Sequence, residues 1–276
     1  MLDLGNPDGP LLLFGGPYSN LQATQALRVE ADRLGIPAQN IVCSGDVVAY
    51  CAQPRETIAL LRDWGVAVVM GNCEESIADN ADDCGCGFEP GSVCDTLSAS
   101  WFSFTNSQID EPDRDWMRTL PRRIDFGYAG KRFAVIHGSV SRINQFVFAS
   151  TSAAELREEI DLADVDVVVG GHCGLPFTRS VGDKLWHNPG VIGMPANDGS
   201  QRGWYSLLSS DDGAITFEHV PLNYASDLAH QRMLDSGLDN GYASGLLSGL
   251  WPSMDVLPQI ERAARGIALE PQTIRF

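Results

Sequence analysis

The sequence is poor in positive charge. Nineteen Lys and Arg stand against 36 Asp and Glu, a formal net charge of −17. Such a surface repels a phosphate backbone, so nucleic-acid binding by a basic face is excluded. An anionic substrate then needs a local source of positive charge, and a metal ion is a compact one. No run approaches the ~18 apolar residues of a membrane span, so no membrane partner is expected. Residues 1–10, MLDLGNPDGP, lack both the basic stretch and the apolar core of a secretion signal. A cytoplasmic chain with all seven cysteines reduced is the expectation. Gly15-Gly16 is not followed by Gly-Lys-Ser/Thr, so it is no P-loop. There is no internal repeat and no low-complexity tract.

What is present is a folded chain of 276 residues, 44% hydrophobic, long enough for a sizeable core. It is organised around residues 41–50, IVCSGDVVAY. Ile41, Val42 and Cys43 suit a buried strand, Gly45 permits a sharp turn, and Asp46 follows. A carboxylate at the carboxyl end of a buried strand stands where open α/β sheets place ligands. It is expensive to desolvate unless paired or metal-bound. Apolar runs at 11–14, 41–43 and 66–70 alternate with helical patterns at 22–33 and 57–64, which means βαβ units and a parallel sheet. A loop holding Cys84, Cys86 and Cys94 is expected over 79–95, and one helix over 96–120. A hairpin is expected over 123–136, then a helix from Ser152 to 162 and a buried strand over 165–169. Strands at 178–181, 184–187, 203–208 and 214–220 complete the sheets. Short amphipathic helices are expected at 226–234 and 242–251. Leu246, Leu247, Leu250 and Trp251 form an apolar face that must cover this chain's own core or that of a second subunit, as in a homodimer.

Four strands end in ligand-type residues beside glycine: Asp46, Asn72, His137 and His172. Two imidazoles, a carboxylate and an amide oxygen suit a borderline divalent metal. Either histidine alone reads as a hydrogen-bonded core residue, but all four at strand ends read as one site. Trp101, Phe102, Phe146 and Phe148 read as core aromatics. His187, His219 and His230 read as structural or exposed. Glu74 and Glu75 suit either acids behind the site or a solvated helix start.

The chain resembles the calcineurin-like metallophosphoesterases, of the small bacterial phosphodiesterase type, over roughly residues 11–208. Gly45-Asp46, Gly71-Asn72, His137-Gly138 and Gly171-His172 match four of the family's blocks in order, and Asn188-Pro189-Gly190 matches its Asn-Pro-Gly. The resemblance implies an α/β fold, a two-sheet β-sandwich flanked by helices, over residues 1–224. A C-terminal helical extension, 225–276, packs on it or on a partner subunit. It also implies a two-metal site at the strand ends and a small phosphoester substrate or ligand.

The departures fall on one metal. The family's first-metal Asp, His and final His fall at Gly16, Tyr18 and Gly174, and of its first block only Asn20 remains. The second-metal set, Asp46, Asn72, His137 and His172, is complete. The family's proton-donating His falls at Cys73 and its following Asp at Glu74. Three readings stay open. One is a phosphoesterase with one divalent ion (Zn, Mn, Fe or Mg), with Cys73 as a weak proton donor and Tyr18, Asn20, Glu74 and Asn188 behind the metal or against the substrate. Another is a catalytically inactive ligand-binding or scaffold relative. In the third, thiols among Cys43, Cys51, Cys73, Cys84, Cys86 and Cys173 rebuild the lost half-site.

Overall fold

The computed structural model describes residues 1–89 and 91–276. A two-residue strand, β1 (Leu2–Asp3), precedes the first buried strand, β2 (Leu11–Phe14). Leu11 and Leu13 face one core, Leu12 and Phe14 another. That period of two marks a strand covered on both faces. Helix α1 (Leu21–Leu34) starts where Asn20 Oδ1 accepts from the Ala23 amide at 3.1 Å, and stops at Gly35 with φ +68°. Next come β3 (Ile41–Cys43), α2 (Pro54–Trp64), β4 (Ala67–Val68) and a short helix, α3 (Asn72–Ala78).

Two helices, α4 (Val93–Gln108) and α5 (Glu111–Thr119), replace the single helix expected over 96–120. Ile109 is extended, Asp110 caps the second helix by accepting from the Asp113 amide at 3.2 Å, and Pro112 sits in its first turn. A cap followed by proline starts a new helix and breaks the old one. The loop expected over 79–95 ends early, because Ser92 already caps α4; Pro90 of that stretch lies outside the described residues. The hairpin β5 (Ile124–Tyr128) and β6 (Lys131–Val135) follows, then α6 (Ala153–Ala163), capped by Ser152 as expected. The chain continues through β7 (Val167–Val169), β8 (Phe177–Val181), β9 (Lys184–Asn188), β10 (Gly203–Asp211) and β11 (Ala214–Leu222). It closes with α7 (Ser226–Asp235), α8 (Gly241–Ser248), α9 (Gln259–Ala263) and β12 (Thr273–Arg275).

The strands form two six-stranded mixed sheets, ordered β1-β5-β6-β7-β9-β8 and β12-β11-β10-β2-β3-β4. Phe133, Val135, Val167 and Val169 of the first sheet meet Leu11, Leu13, Val42 and Phe217 of the second in a shared inner core. The outer face of the second sheet is covered by α1, α2, α4, α7 and α8, and that of the first chiefly by α6. The result is the expected sandwich with helices outside. Among the described residues, no helix is long and apolar enough to cross a membrane.

Residues 225–276 pack on this body. Met233, Ala243 and Leu246 are fully buried in the core beside α1 and α2. The apolar face of α8 therefore covers the chain's own core. The segment is not wholly helical, since β12 pairs antiparallel with β11. One cysteine expectation is corrected. Cys84 and Cys86 form a disulfide, their Cα atoms 5.3 Å apart, within the usual range for a bridge. Gly85 between them, at φ +63°, turns the chain back on itself. The other five are free and buried.

Truncation after Tyr224 would strip β12 from its sheet and uncover the core under α7 and α8. The truncated chain is expected to aggregate, measured by light scattering after size-exclusion chromatography. A monodisperse product melting with the full chain would contradict this packing account.

Candidate metal centre

Four strands deliver the site. Asp46 follows β3, Asn72 opens α3 after β4, His137 follows β6 and His172 follows β7. β3 and β4 lie in one sheet, β6 and β7 in the other. The carboxyl ends of both sheets thus face a common point. Asp46 and His172 adopt φ of 54° and 56°, a left-handed conformation uncommon for residues with a Cβ and concentrated at functional sites. Gly45 has no alternative: a Cβ there would lie 2.8 Å from His137 Nδ1 and 2.9 Å from the Gly71 nitrogen.

His137 is the hub. Its Nδ1–H donates to the Ser44 carbonyl at 2.7 Å, which leaves Nε2 as the lone-pair nitrogen. That nitrogen faces Asn72 Oδ1 at 3.0 Å, His172 Nδ1 at 3.2 Å and Asp46 Oδ2 at 3.3 Å. Asn72 shows its oxygen because its Nδ2 donates to the Cys84 carbonyl at 2.9 Å. Asp46, His137 and His172 offer ligand atoms all within 4.8 Å of one another, and all three are buried. With both imidazoles neutral, the four atoms have at most one hydrogen among them, from His172. A cation among them resolves this convergence of lone pairs. Neighbouring ligand atoms of a tetrahedral site with bonds of ~2.0–2.1 Å lie ~3.3 Å apart, which the three separations from His137 Nε2 approach.

The electrostatics tie Asp46 and His137 together as a pair. Burial works against the Asp46 carboxylate, yet His137 beside it holds its pKa below the usual range. Burial also works against charge on His137, yet Asp46 raises its pKa above the ordinary histidine value. Burial, and then His137, push His172 down to about 3, so it is a neutral imidazole. Its Nε2 is buried without a hydrogen-bond partner.

Glu74 holds this arrangement from behind. It stands at a helix start but is fully buried rather than solvated. Its carboxylate accepts from the amides of Asp46 at 2.8 Å, Gly71 at 3.0 Å and Val48 at 3.1 Å. Burial, and then the charge on Asp46, raise its pKa to about 7. Asn188 Nδ2 donates to the Gly171 carbonyl at 2.9 Å and so fixes the turn carrying His172. Asn20 lies apart from the ligands as the cap of α1, its Nδ2 donating to Gly193 O. The Cys73 thiol is fully buried, and burial, with Asp46 next, raises its pKa well above the ordinary thiol value. Its amide meets Asp46 at 3.3 Å from Oδ1, and its thiol also stands beside that carboxylate. Ser44 and Phe146 were not readable as site residues. Phe146 is half-buried, and its ring lies 4.2 Å from that of His172.

The positions matching the family's first metal are filled with carbon. A Cβ on Gly16 would lie 2.5 Å from Tyr18 Cζ, so the Tyr18 ring occupies the space a side chain at 16 would take. A Cβ on Gly174 would lie 3.4 Å from Trp251 Cζ2, in ordinary contact with the indole. Among the described residues, no cysteine joins a ligand cluster. Among the described residues, the donors gather in one cluster, Asp46, His137 and His172, with Asn72 beside it.

Comparison with known proteins agrees with this architecture. A model of the calcineurin-like phosphoesterase superfamily domain matches residues 20–213. The chain belongs to that superfamily, whose metallophosphoesterases use divalent metals. It is similar to the uncharacterized protein MJ0912 of Methanocaldococcus jannaschii, 25% identical over 253 residues, 84% of this chain and 95% of that protein. A metallophosphoesterase from Sphaerobacter thermophilus has the same fold at 20% identity and TM-score 0.69, covering 88% of this chain and 100% of that one. The hypothetical protein PH1004 of Pyrococcus horikoshii OT3 does so at 15% identity and TM-score 0.73, covering 87% and 98%.

Replacing Glu74 tests the support layer. Glu74→Ala leaves three buried amides without an acceptor, at about 1–3 kcal/mol each. Chemical denaturation is expected to show a loss of at least about 3 kcal/mol, with metal affinity of the folded protein weakened roughly 10–100-fold. Unchanged stability would show that the amides find other partners.

Proposed function

We propose that this chain is a metal-dependent phosphoesterase, hydrolysing a phosphomono- or diester with a single divalent ion held by Asp46, Asn72, His137 and His172. One observation carries the proposal: the tautomer-locked Nε2 of His137 faces three ligand atoms at 3.0–3.3 Å. When bound, the ion supplies a Lewis acid for a phosphoryl oxygen and a water of lowered pKa. Hydrolysis joins the water oxygen to phosphorus and breaks the ester P–O bond, and the departing oxygen leaves as the alcohol once protonated.

The residues of this chain do the positioning. Ser44 holds His137 in the ligating tautomer, Cys84 turns Asn72, and Glu74 fixes the Asp46 turn through its amides. Asn188 holds the His172 turn. Tyr18 keeps its proton, because burial and then Asp46 raise its pKa well above the ordinary phenol value. It is a neutral hydrogen-bond donor rather than a ligand. Cys73 acts on Asp46 through both its amide and its protonated thiol. Its thiol is not assigned the leaving-group proton, and a site without a side-chain donor forgoes the ~10²–10⁴-fold that general acid catalysis typically contributes.

Two measurements test the reading. Metal quantification is expected to give no more than one ion per chain, with His172→Ala losing it. Two fully bound ions would overturn the ligand argument. Turnover of a generic aryl phosphodiester by the metal-loaded protein supports the enzyme, whereas metal without turnover on any phosphoester leaves a ligand-binding relative. Cys73→Ser is expected to keep turnover within about threefold, and a drop in the ~10²–10⁴ range would restore the thiol as the proton donor.

A further inference from the structure

A cleft with a cavity volume of about 70 Å³, open to solvent on one side, adjoins the cluster at His172. Its lining contains no Lys, Arg, Asp or Glu among the described residues. That is unusual on a chain of net charge −17, because nothing in the cleft neutralises an anion that the surface already repels. The walls are largely aromatic. Tyr50 packs edge-on to Tyr18 at 4.7 Å between ring centroids and stacks on Tyr242 at 4.4 Å. Phe146 stacks on Phe88 at 6.4 Å and lies over His172.

The Trp251 wall is anchored at two points. Trp251 donates from Nε1 to the Pro195 carbonyl at 2.6 Å, and from its backbone amide to Asn197 Oδ1 at 2.8 Å. Fixed walls lower the ordering cost of binding. Aromatic faces favour a planar ring over an aliphatic chain of equal area, by stacking and edge contacts beyond simple burial.

We propose that this cleft binds an uncharged planar aromatic group, the ring of a phosphoester whose phosphoryl group lies at the Asp46–His137–His172 cluster. The assignment of the phosphoryl end rests on the phosphoesterase reading; the ring site rests on the cleft alone. Continuity with the cluster places ring and phosphoryl group in one ligand, and the uncharged walls exclude a second charged group at the ring end. The ring is that of a simple aryl ester or a nucleobase, and its source is a matter for experiment.

Calorimetric titration of the metal-loaded full chain tests this. 1-Naphthyl phosphate is expected to bind at least roughly tenfold more tightly than methyl phosphate. 1-Naphthol, which has no phosphoryl group, is expected to bind with a stoichiometry of one. Val256→Trp, which fills the cleft, is expected to abolish naphthol binding. Phe88→Ala, which only removes volume, is expected to weaken it several-fold and serves if the first variant fails to fold. Equal binding of the two phosphates, or naphthol binding indifferent to both substitutions, overturns the proposal. Naphthol binding without hydrolysis of any ester supports the cleft and removes only the phosphoesterase reading. Hydrolysis without ring preference does the reverse. A nucleoside monophosphate binding as tightly as naphthyl phosphate supports the ring site and assigns it to a nucleobase. One binding like methyl phosphate, beside a naphthyl preference, supports it as a plain aryl site.

Discussion

One hydrogen bond joins the two halves of this molecule at its working end. His137, from the end of β6, donates to the carbonyl of Ser44, at the end of β3 in the other sheet. The bond sets the register between the sheets where their strands run out, and it decides which nitrogen of His137 looks into the site. The join is close: a Cβ on Gly171 would lie 2.6 Å from Ser44 Oγ. The inner core aligns the sheets by apolar contact, which is non-directional. The directional part of the alignment comes from this polar seam, so fold and site geometry are one constraint.

Much of this was legible in the chain. Strand-end glycines beside Asp46, Asn72, His137 and His172 are local signals, and each strand has its own apolar run. The walls of the site were not legible for a corresponding reason. Trp251 lies against Gly174 and Phe146 overlies His172 across long stretches of sequence, and no periodicity records such a meeting. Glu74 was visible as an acid after Asn72. That its carboxylate collects amides from two different loops is tertiary information. The break between α4 and α5 is different: Asp110 and Pro112 carry a sound start signal, and the apolar anchors on either side masked it. The β12 strand, three residues at the end of a helical stretch, has no pattern long enough to read.

The contrast between a strongly acidic exterior and an uncharged aromatic cleft sets what can approach. Long-range repulsion weakens multiply charged anions before they arrive, while a ligand with one phosphoryl group and an apolar body meets repulsion at one end and burial at the other. Selectivity then comes from what the protein refuses as much as from what it contacts.

Left-handed backbone recurs at the strand ends around this site. Asp46 and His172 sit at φ of 54° and 56° with full side chains, while Gly16 and Gly174 sit at +44° and +75° with none. A left-handed residue with a Cβ costs about 1–3 kcal/mol, and glycine is free of it. Tyr18, at a lost ligand position, carries the same cost at φ of 52°, so the strain follows the shape of these strand-end turns and not the ligands alone. The turns that end these strands therefore carry backbone strain at several positions, and glycine at 16 and 174 lowers the total without changing their path.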